Sequence, residues 1–483
     1  MVFSSEQFLF LFLPLFLLAY YMTPVAKRSW TIVAGSYLFY AWWRVDFLFL
    51  LIGTTAWTYY FGLKIQEHDG SKRAKIFCAI GVAGCLAVLG VFKYLNFFID
   101  SFAALAGTTP DQLGVHWRLI LPIGISFYVF QSISYLVDIY RKDAPATRSF
   151  IDFAAFIALF PQLIAGPILR YKDLAGQISH RVHSVNMFVD GVSRFTVGLA
   201  KKVLLADAVA PIADASFALS DPTFAEAFLG MLAYSLQLYF DFSGYSDMAI
   251  GLGMMMGFRF IENFNRPYIS RSITEFWRRW HISLSVWLRD YLYIPLGGNR
   301  KGVRRTYFNL ITVMLLGGLW HGASWTFVIW GAWHGCWLAI ERATRWSYTS
   351  HKYWISLPVT FLLVMIGWVV FRAETVGSAF TIYCGLVGLN GFALRADYLV
   401  GLTQDSFIFL LLSLAIVALE GRIVTFFNPG SSEPQVTPGG QMVLSASASY
   451  RQIANSVLLS ALMVLTVAKL AEQSFSPFLY FQF

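Results

Sequence analysis

Two histidines carry the chemistry this sequence offers. His321 lies in LLGGLWHGASWTFVIWGAW, residues 315–333, as the ionisable side chain near the middle of an apolar stretch. An ionisable group at membrane depth is costly, ~2.5–3.5 kcal/mol for charged types on insertion scales, so a functional site is the first hypothesis. Gly317, Gly318 and Gly322 bare the backbone around it, so a neighbouring helix or a substrate can come close. Trp320, Trp325 and Trp330 supply rigid walls. His281 stands upstream in SITEFWRRWHISLSVWLRDYLY.

A neutral imidazole on a polar path can take a proton from a hydroxyl and turn it into a nucleophile. The chain has no serine nucleophile elbow and no H-E-x-x-H zinc motif. Direct transfer to a hydroxyl, with His321 as general base, is therefore the simplest enzymatic reading, and no metal site is expected. His281 would orient a substrate, share the proton or cap the site. The structural alternative is a neutral histidine satisfied by one hydrogen bond inside a helix bundle. The rival functional class is a transporter, because intramembrane His and Asp also serve as proton relays. Transporters often carry inverted repeats, and none is visible here.

The elements that must position these groups are membrane helices. The 483 residues are 57% hydrophobic, 18% aromatic and only 13% charged, which excludes a soluble domain. Apolar windows of spanning length recur from end to end, about eleven to thirteen of them, so the expected class is an all-α polytopic bundle. The run at 8–22 reads as the first span rather than a cleavable signal. Spans are expected near 7–22, 30–43, 45–63, 76–92 and 119–140, with a polar-aromatic connection at 93–118, and again near 354–371, 376–392, 406–427 and 452–472. The basic loops 23–29, 64–75 and 141–149 fall on one side if the N-terminus is outside the cytoplasm, and the positive-inside rule selects that topology. A formal charge of +9 says little of nucleic acid in such a chain, and no nucleic-acid partner is expected; lipid is. The four cysteines, Cys78, Cys85, Cys336 and Cys384, read as small packing residues, with Cys78 and Cys85 on one helix face.

Between these spans lies a less regular core. Residues 150–170 are apolar but interrupted by Pro161, Gly166 and Pro167, so a broken or re-entrant helix is expected. It either lines a cavity, where irregular backbone is tolerated, or is an ordinary proline-kinked span. Residues 182–217 read as an interfacial amphipathic helix held near cytoplasmic headgroups by Lys201 and Lys202. The next apolar region, 224–258, holds a polar island with Asp241, Asp247 and Tyr245, and Gly244 is expected to break the helix. Asp241 and Tyr245 are candidate pocket residues, or members of a structural polar cluster. Residues 271–294 open on a capping-box pattern, Ser272 to Glu275, and close at Pro295. At about 100° per residue, Phe276, Trp280, Leu284, Trp287 and Tyr291 share one face, with Arg278 and Arg289 about 140–160° further round and His281 between. That describes an interfacial helix with Arg278 and Arg289 as candidate substrate contacts. GGNRKGVRR, 297–305, is a positive-inside loop or, with Asn299 among its candidates, a phosphate-facing one. On a continuous helix His334 would sit about 140° away from His321, as a structural or supporting residue. Residues 428–450 read as a surface loop.

These segments together resemble the membrane-bound O-acyltransferase (MBOAT) family, in the bacterial branch that O-acetylates exported polysaccharides. The likeness is tightest in MVFSS, FLFLFLP, SYLFYAWWRVDF, LPIGISFY, FPQLIAGPILR, QLYFDFSGYSDMAIGLG, SITEFWRRWHISLSVWLRDYLYIPLGGNR and LLGGLWHGASWTFVIWGAWHG. The resemblance implies one membrane domain over 1–483, a helical bundle around a central cavity, with N-terminal spans to 150, a catalytic core over 151–345 and C-terminal spans over 346–483. It places the essential histidine at His321 and the second characteristic one at His281. It implies no tightly bound cofactor, with acetyl-CoA or another acetyl thioester as cytoplasmic donor. The acetyl group would cross a bacterial inner membrane to periplasmic acetyltransferase partners. The implied polymer is alginate, or another exopolysaccharide such as cellulose.

Overall fold

The computed structural model describes residues 1–346, 353–427, 446–472 and 478–479. Among the described residues the regular elements are all helical. The chain starts with a π-helical stretch, Gln7–Phe12, that runs directly into α1, Leu13–Met22. Pro14 sits in the first turn of α1, where a missing N–H does little harm. Next come α2, Arg28–Ala41, and α3, Val45–Glu67. Then α4, Lys72–Leu89, passes through a π turn, Gly90–Tyr94, into α5, Leu95–Leu105. The last three form one 34-residue apolar rod, Lys72–Leu105. The span expected to stop at 92 therefore continues. Lys93 looks like a boundary residue in the sequence, yet it lies buried inside the rod.

After α6, Ile125–Arg141, the chain enters the irregular segment foreseen at 150–170. Short helices α7, Phe150–Ala158, and α8, Phe160–Leu163, flank a break at Leu159. Residues 153–169 are buried without interruption. Side chains satisfy the backbone that this break exposes. Phe160 N–H donates to Ser36 Oγ at 3.1 Å, Ile168 N–H to Ser283 Oγ at 3.0 Å, and Gln162 Nε2 to Phe156 O at 2.8 Å. These protein partners make the irregular backbone tolerable, and Ile164 reaches the wall of a cavity.

The helices α9, Tyr171–Ser179, α10, Val185–Ala200, and α11, Asp207–Phe217, lead to the central element α12, Phe224–Met255. A capping box of Thr223 and Glu226 starts α12, and its residues 233–253 are all buried. Gly244 does not break it. A Cβ on Gly198 would sit 2.5 Å from Gly244 O, and one on Gly251 2.5 Å from Gly191 O, so these glycines let α10 and α12 touch backbone to backbone. Residues 182–217 are accordingly not an interfacial helix. Their lysines turn inward through the π turn Lys201–Ala206. Lys201 pairs with Asp247 at 2.8 Å, and Lys202 with Asp207 at 2.5 Å and Asp241 at 3.1 Å.

The expected helix over 271–294 is broken into α13, Ile273–Arg279, α14, Ile282–Leu288, and a π turn, Arg289–Tyr293. Next, α15, Val303–His321, and α16, Trp325–Thr344, form a tight hairpin. The chain ends with α17, Tyr353–Arg372, α18, Val376–Leu386, α19, Ala396–Val400, α20, Gln404–Phe427, and α21, Ala446–Glu472. Of the loop expected over 428–450, residues 428–445 lie outside the described residues; from Ala446 the chain is helical. Among the described residues, four helical stretches, Lys72–Leu105, Tyr353–Arg372, Gln404–Gly421 and Asn455–Glu472, are long and apolar enough to cross a membrane by length and composition alone. Helices such as α12 and α15 carry buried polar groups that protein partners satisfy: Asp247 pairs with Arg194 and Lys201, and Asn309 Nδ2 donates to Gly298 O at 3.0 Å.

The basic loops meet at one end of the bundle. Lys142 pairs with Asp69 at 2.9 Å, Lys172 with Asp143 at 2.8 Å and Arg170 with Asp290 at 2.5 Å, while Ala146 N–H donates to Gln66 Oε1 at 2.5 Å. From that end α3 and α6 lead back to Trp42, Trp43 and Ile125 at the other.

Candidate active site

The hairpin of α15 and α16 delivers His321. Glycines let its two helices pack at backbone distance: a Cβ on Gly318 would lie 2.2 Å from Phe327 O, and one on Gly331 2.4 Å from Met314 O. The expected single helix over 315–333 does not exist. His321 ends α15, Gly322 is extended, and Ser324 starts α16 by accepting from Thr326 N–H at 3.3 Å. His321 thus sits at a hairpin tip. The face argument for His334 fails with the continuous helix it assumed. Trp330 stands between the two histidines, 5.0 Å from the His321 ring and 4.9 Å from that of His334.

His281 arrives on the broken segment of α13 and α14. Half of the expected capping box forms: Ser272 Oγ accepts from Glu275 N–H at 3.0 Å, but Glu275 turns to Arg271 N–H at 2.9 Å. Glu341 of α16 supplies the rest, accepting from Ile273 N–H at 2.5 Å, Thr274 N–H at 2.8 Å and Thr274 Oγ1 at 2.8 Å. The helix stops at Trp280, and His281 adopts a left-handed backbone with φ 43°. That conformation costs a non-glycine residue ~1–2 kcal/mol. Asn263 holds it: Ile282 N–H donates to Asn263 O at 2.9 Å, and Ser283 Oγ to Asn263 Oδ1 at 2.8 Å.

The two segments converge. The His281 and His321 rings are 6.2 Å apart, and the Trp320 ring lies 5.8 Å from the first and 5.1 Å from the second. Phe242 of α12 packs on His281 at 4.8 Å and Phe371 of α17 on His321 at 5.3 Å. A cavity of about 750 Å³ reaches this centre. His321, Trp320, Lys93 and Ser126 are in its wall, and it opens past the exposed Trp42, Trp43 and Ile120. His281 is outside that wall, behind His321. Of the sequence candidates, the structure brings together His321, His281 and Trp320.

The others lie elsewhere. Asp241 is buried in the ion pair with Lys202 and accepts from Leu479 N–H at 3.0 Å. Tyr245 is stacked on Phe3 at 4.7 Å and on Phe478 at 4.3 Å. Neither is in the cavity wall, and α12 touches the site through Phe242 instead. Arg278 and Arg289 are exposed, Arg289 bonded to Asp290 at 2.7 Å. The aromatic face opposite them, with Phe276, Trp280, Leu284 and Trp287, is buried in protein rather than lipid. Asn299 is exposed and accepts from the Tyr293 hydroxyl. At this basic end, burial alone would raise the Asp290 carboxyl. The hydrogen bond and charge of Arg289, with Arg170 and Lys172, outweigh burial and hold it below the usual carboxylate range. Among the described residues no cluster of three or more His, Cys, Asp or Glu is placed to hold a metal ion.

Sequence reasoning missed Lys93, Glu341 and Asn263. Each acts through contacts distant in the chain; Lys93 Nζ reaches His321 O, 228 positions away, at 3.3 Å.

Residues 91–379 match the model of MBOAT, the membrane-bound O-acyltransferase family. The chain is 52% identical over 502 aligned residues to the probable alginate O-acetylase AlgI of Azotobacter vinelandii, with 100% of both chains covered. It is 49% identical over 528 residues to the protein of that name from Pseudomonas aeruginosa, again with 100% of both covered. A peptidoglycan O-acetyltransferase of Helicobacter pylori is 38% identical, over 82% of this chain and 81% of its own length.

Proposed function

We propose a function from a fixed premise: the chain belongs to the membrane-bound O-acyltransferase family. It is a membrane-embedded O-acetyltransferase that serves the O-acetylation of alginate, the polymer in the names of full-length relatives about half identical to it. The observation that carries the mechanism is His321 in the wall of the 750 Å³ cavity, at the tip of a rigid hairpin.

In this reading a hydroxyl enters the cavity and His321 takes its proton. The oxygen attacks the carbonyl carbon of an acetyl thioester, the C–S bond breaks, and the imidazolium returns the proton to the departing sulfur. Acetyl-CoA is the donor we favour. His281, behind His321 and outside the wall, acts by holding the geometry. The chain works as one domain: the core 151–345 brings both histidines, and the N-terminal spans 1–150 bring the outer wall with Trp42, Trp43, Lys93 and Ser126.

The protein lies in the inner membrane with its basic loops in the cytoplasm and its N-terminus in the periplasm. The positive-inside rule supports this, as does the gathering of loops 64–75 and 141–149 at one end. His321 ends a 19-residue helix that starts beside the basic block, which puts it about 28 Å away at 1.5 Å per residue. The cavity therefore opens on the periplasmic side, where acetyltransferase partners would collect the group. The donor is drawn to the basic block 278–305. Charge reversal at Arg300, Lys301, Arg304 and Arg305 is expected to weaken donor use, and unchanged use would remove the block from the mechanism.

The test is the acetyl-ester content of secreted polysaccharide from cells carrying His321→Ala, with membrane levels of the protein measured. Acetylation lost at normal abundance is the expected result. Normal acetylation would end the base assignment.

A further inference from the structure

We propose that Lys93 and Tyr94 form a clamp on the end of α15 that fixes the position of His321, with Lys93 as a positioning residue for the transfer. The inference rests on the reading of His321 as base and names what holds that base in place.

Lys93 is only 8% exposed, in the middle of an apolar 34-residue helix. A buried ammonium is costly unless its protons find acceptors. Among the described residues no carboxylate pairs with it. Its partners are Ser126 Oγ at 3.1 Å, Trp320 O, and His321 O at 3.3 Å. The next side chain, Tyr94, donates its hydroxyl to Leu319 O at 2.9 Å. Leu319, Trp320 and His321 are the last three residues of α15. Their carbonyls belong to the final turn, which a helix leaves without internal donors. A cation is also the charge that a helix C-terminus favours.

The local backbone explains how adjacent side chains serve one target. Consecutive residues of a regular helix diverge by about 100°. Lys93 and Tyr94 close the π turn Gly90–Tyr94, a distortion that recurs at functional sites. Beyond His321 the chain is extended at Gly322, so α15 has no backbone continuation to hold its last turn. Lys93 lines the same cavity as His321. The clamp therefore acts on the one turn whose displacement would move the base relative to anything bound there.

The test uses the full chain in its membrane, with three readouts: protein abundance, acetyl-ester content of the polysaccharide, and site-resolved carbethoxylation of histidines by diethyl pyrocarbonate. Lys93→Met removes the cation and keeps the length. We expect normal abundance and an acetylation loss of about 100-fold, the scale of a 1 Å misplacement. The carbethoxylation rate at His321 should change severalfold while that at the exposed His116 stays constant. Lys93→Arg should restore most of both. If Lys93→Met does not accumulate, Tyr94→Phe, which deletes only the bond to Leu319 O, should show the same pattern at smaller amplitude. The clamp is overturned if acetylation survives in Lys93→Met, if it falls with His321 reactivity unchanged, or if arginine restores neither. His321→Ala in the same cells separates the two ideas. Acetylation that survives it ends the base reading, and the reactivity data still decide the clamp.

Discussion

Gly318→Ala is the sharpest perturbation the hairpin allows. The added Cβ would lie 2.2 Å from Phe327 O, 3.1 Å from Phe327 C and 3.3 Å from the Gly331 Cα. All are backbone atoms, so no side chain can rotate out of the way. Ordinary contact begins at 3.4 Å, so α15 and α16 must part by 3.4 − 2.2, about 1.2 Å. Overpacking of this kind costs ~1–3 kcal/mol. The larger consequence is functional, because His321 lies one turn further along the same helix. A shift near 1 Å at a catalytic group costs about 100-fold in rate. Gly317→Ala is the matched control. Its Cβ would meet only Leu288 Cδ1, the end of a flexible side chain, at 3.3 Å. Acetyl-ester content, abundance and detergent-solubilised melting temperature should separate the two: near-normal values for Gly317→Ala, a small drop in melting temperature and a large drop in acetylation for Gly318→Ala. Equal acetylation by both variants at equal abundance would show that hairpin spacing does not set the base.

Four other expectations follow from contacts elsewhere in the bundle. Lys202→Met leaves Asp207 and Asp241 facing each other in the core and should cost ~3–5 kcal/mol, read as lost membrane abundance; Tyr245→Phe, which keeps the stack on Phe3 and Phe478, should acetylate normally. The Asp290 carboxyl is held low at the basic end, so its contribution to stability is present above the ordinary carboxylate pKa of about 3.9 and is lost as pH falls through the lower folded value. Melting temperature between pH 5 and 3 should therefore fall less steeply in Asp290→Asn than in the parent, and identical slopes would refute the assignment. A cysteine at Trp43 or Ile120 should react with a membrane-impermeant maleimide added to intact spheroplasts, and one at Lys301 should not; the reverse would invert the topology.

How much of this was legible follows from how local each determinant is. The helical first span at Gln7–Met22, the break at 150–170 and the all-helical bundle were readable, because proline placement and apolar runs are local signals; the π-helical form of the first six residues was not. His321 and His281 stood out as ionisable residues in apolar surroundings. Their backbone did not, since a helical wheel assumes an unbroken helix. At His321 the warning was in the chain: Gly322 followed by Ser324 is a helix end followed by an N-cap. At His281 no local warning existed, because the left-handed turn is held by Asn263, eighteen positions upstream in another segment. Lys93 misled for the same reason. A lysine near the end of an apolar window reads as a membrane boundary unless one knows that three carbonyls of a distant helix wait for it and its neighbour.

The arrangement of charge also weighs between the two functional classes the sequence left open. A proton-coupled path needs a succession of ionisable groups that exchange protons. The acidic residues of the α10–α12 core are instead locked in pairs: Asp241 and Asp207 with Lys202, Asp247 with Lys201 and Arg194. The cavity wall carries no Asp or Glu among the described residues; it carries Lys93 and His321 between aromatic rings. Behind His321 stand Trp330 and Phe371, at 5.0 and 5.3 Å, and the His281 ring at 6.2 Å. An imidazole in the wall of a chamber without carboxylates suits one local proton transfer to and from a reacting oxygen. The absence of carboxylates from that wall, among the described residues, favours transfer over a relay, independently of any relative.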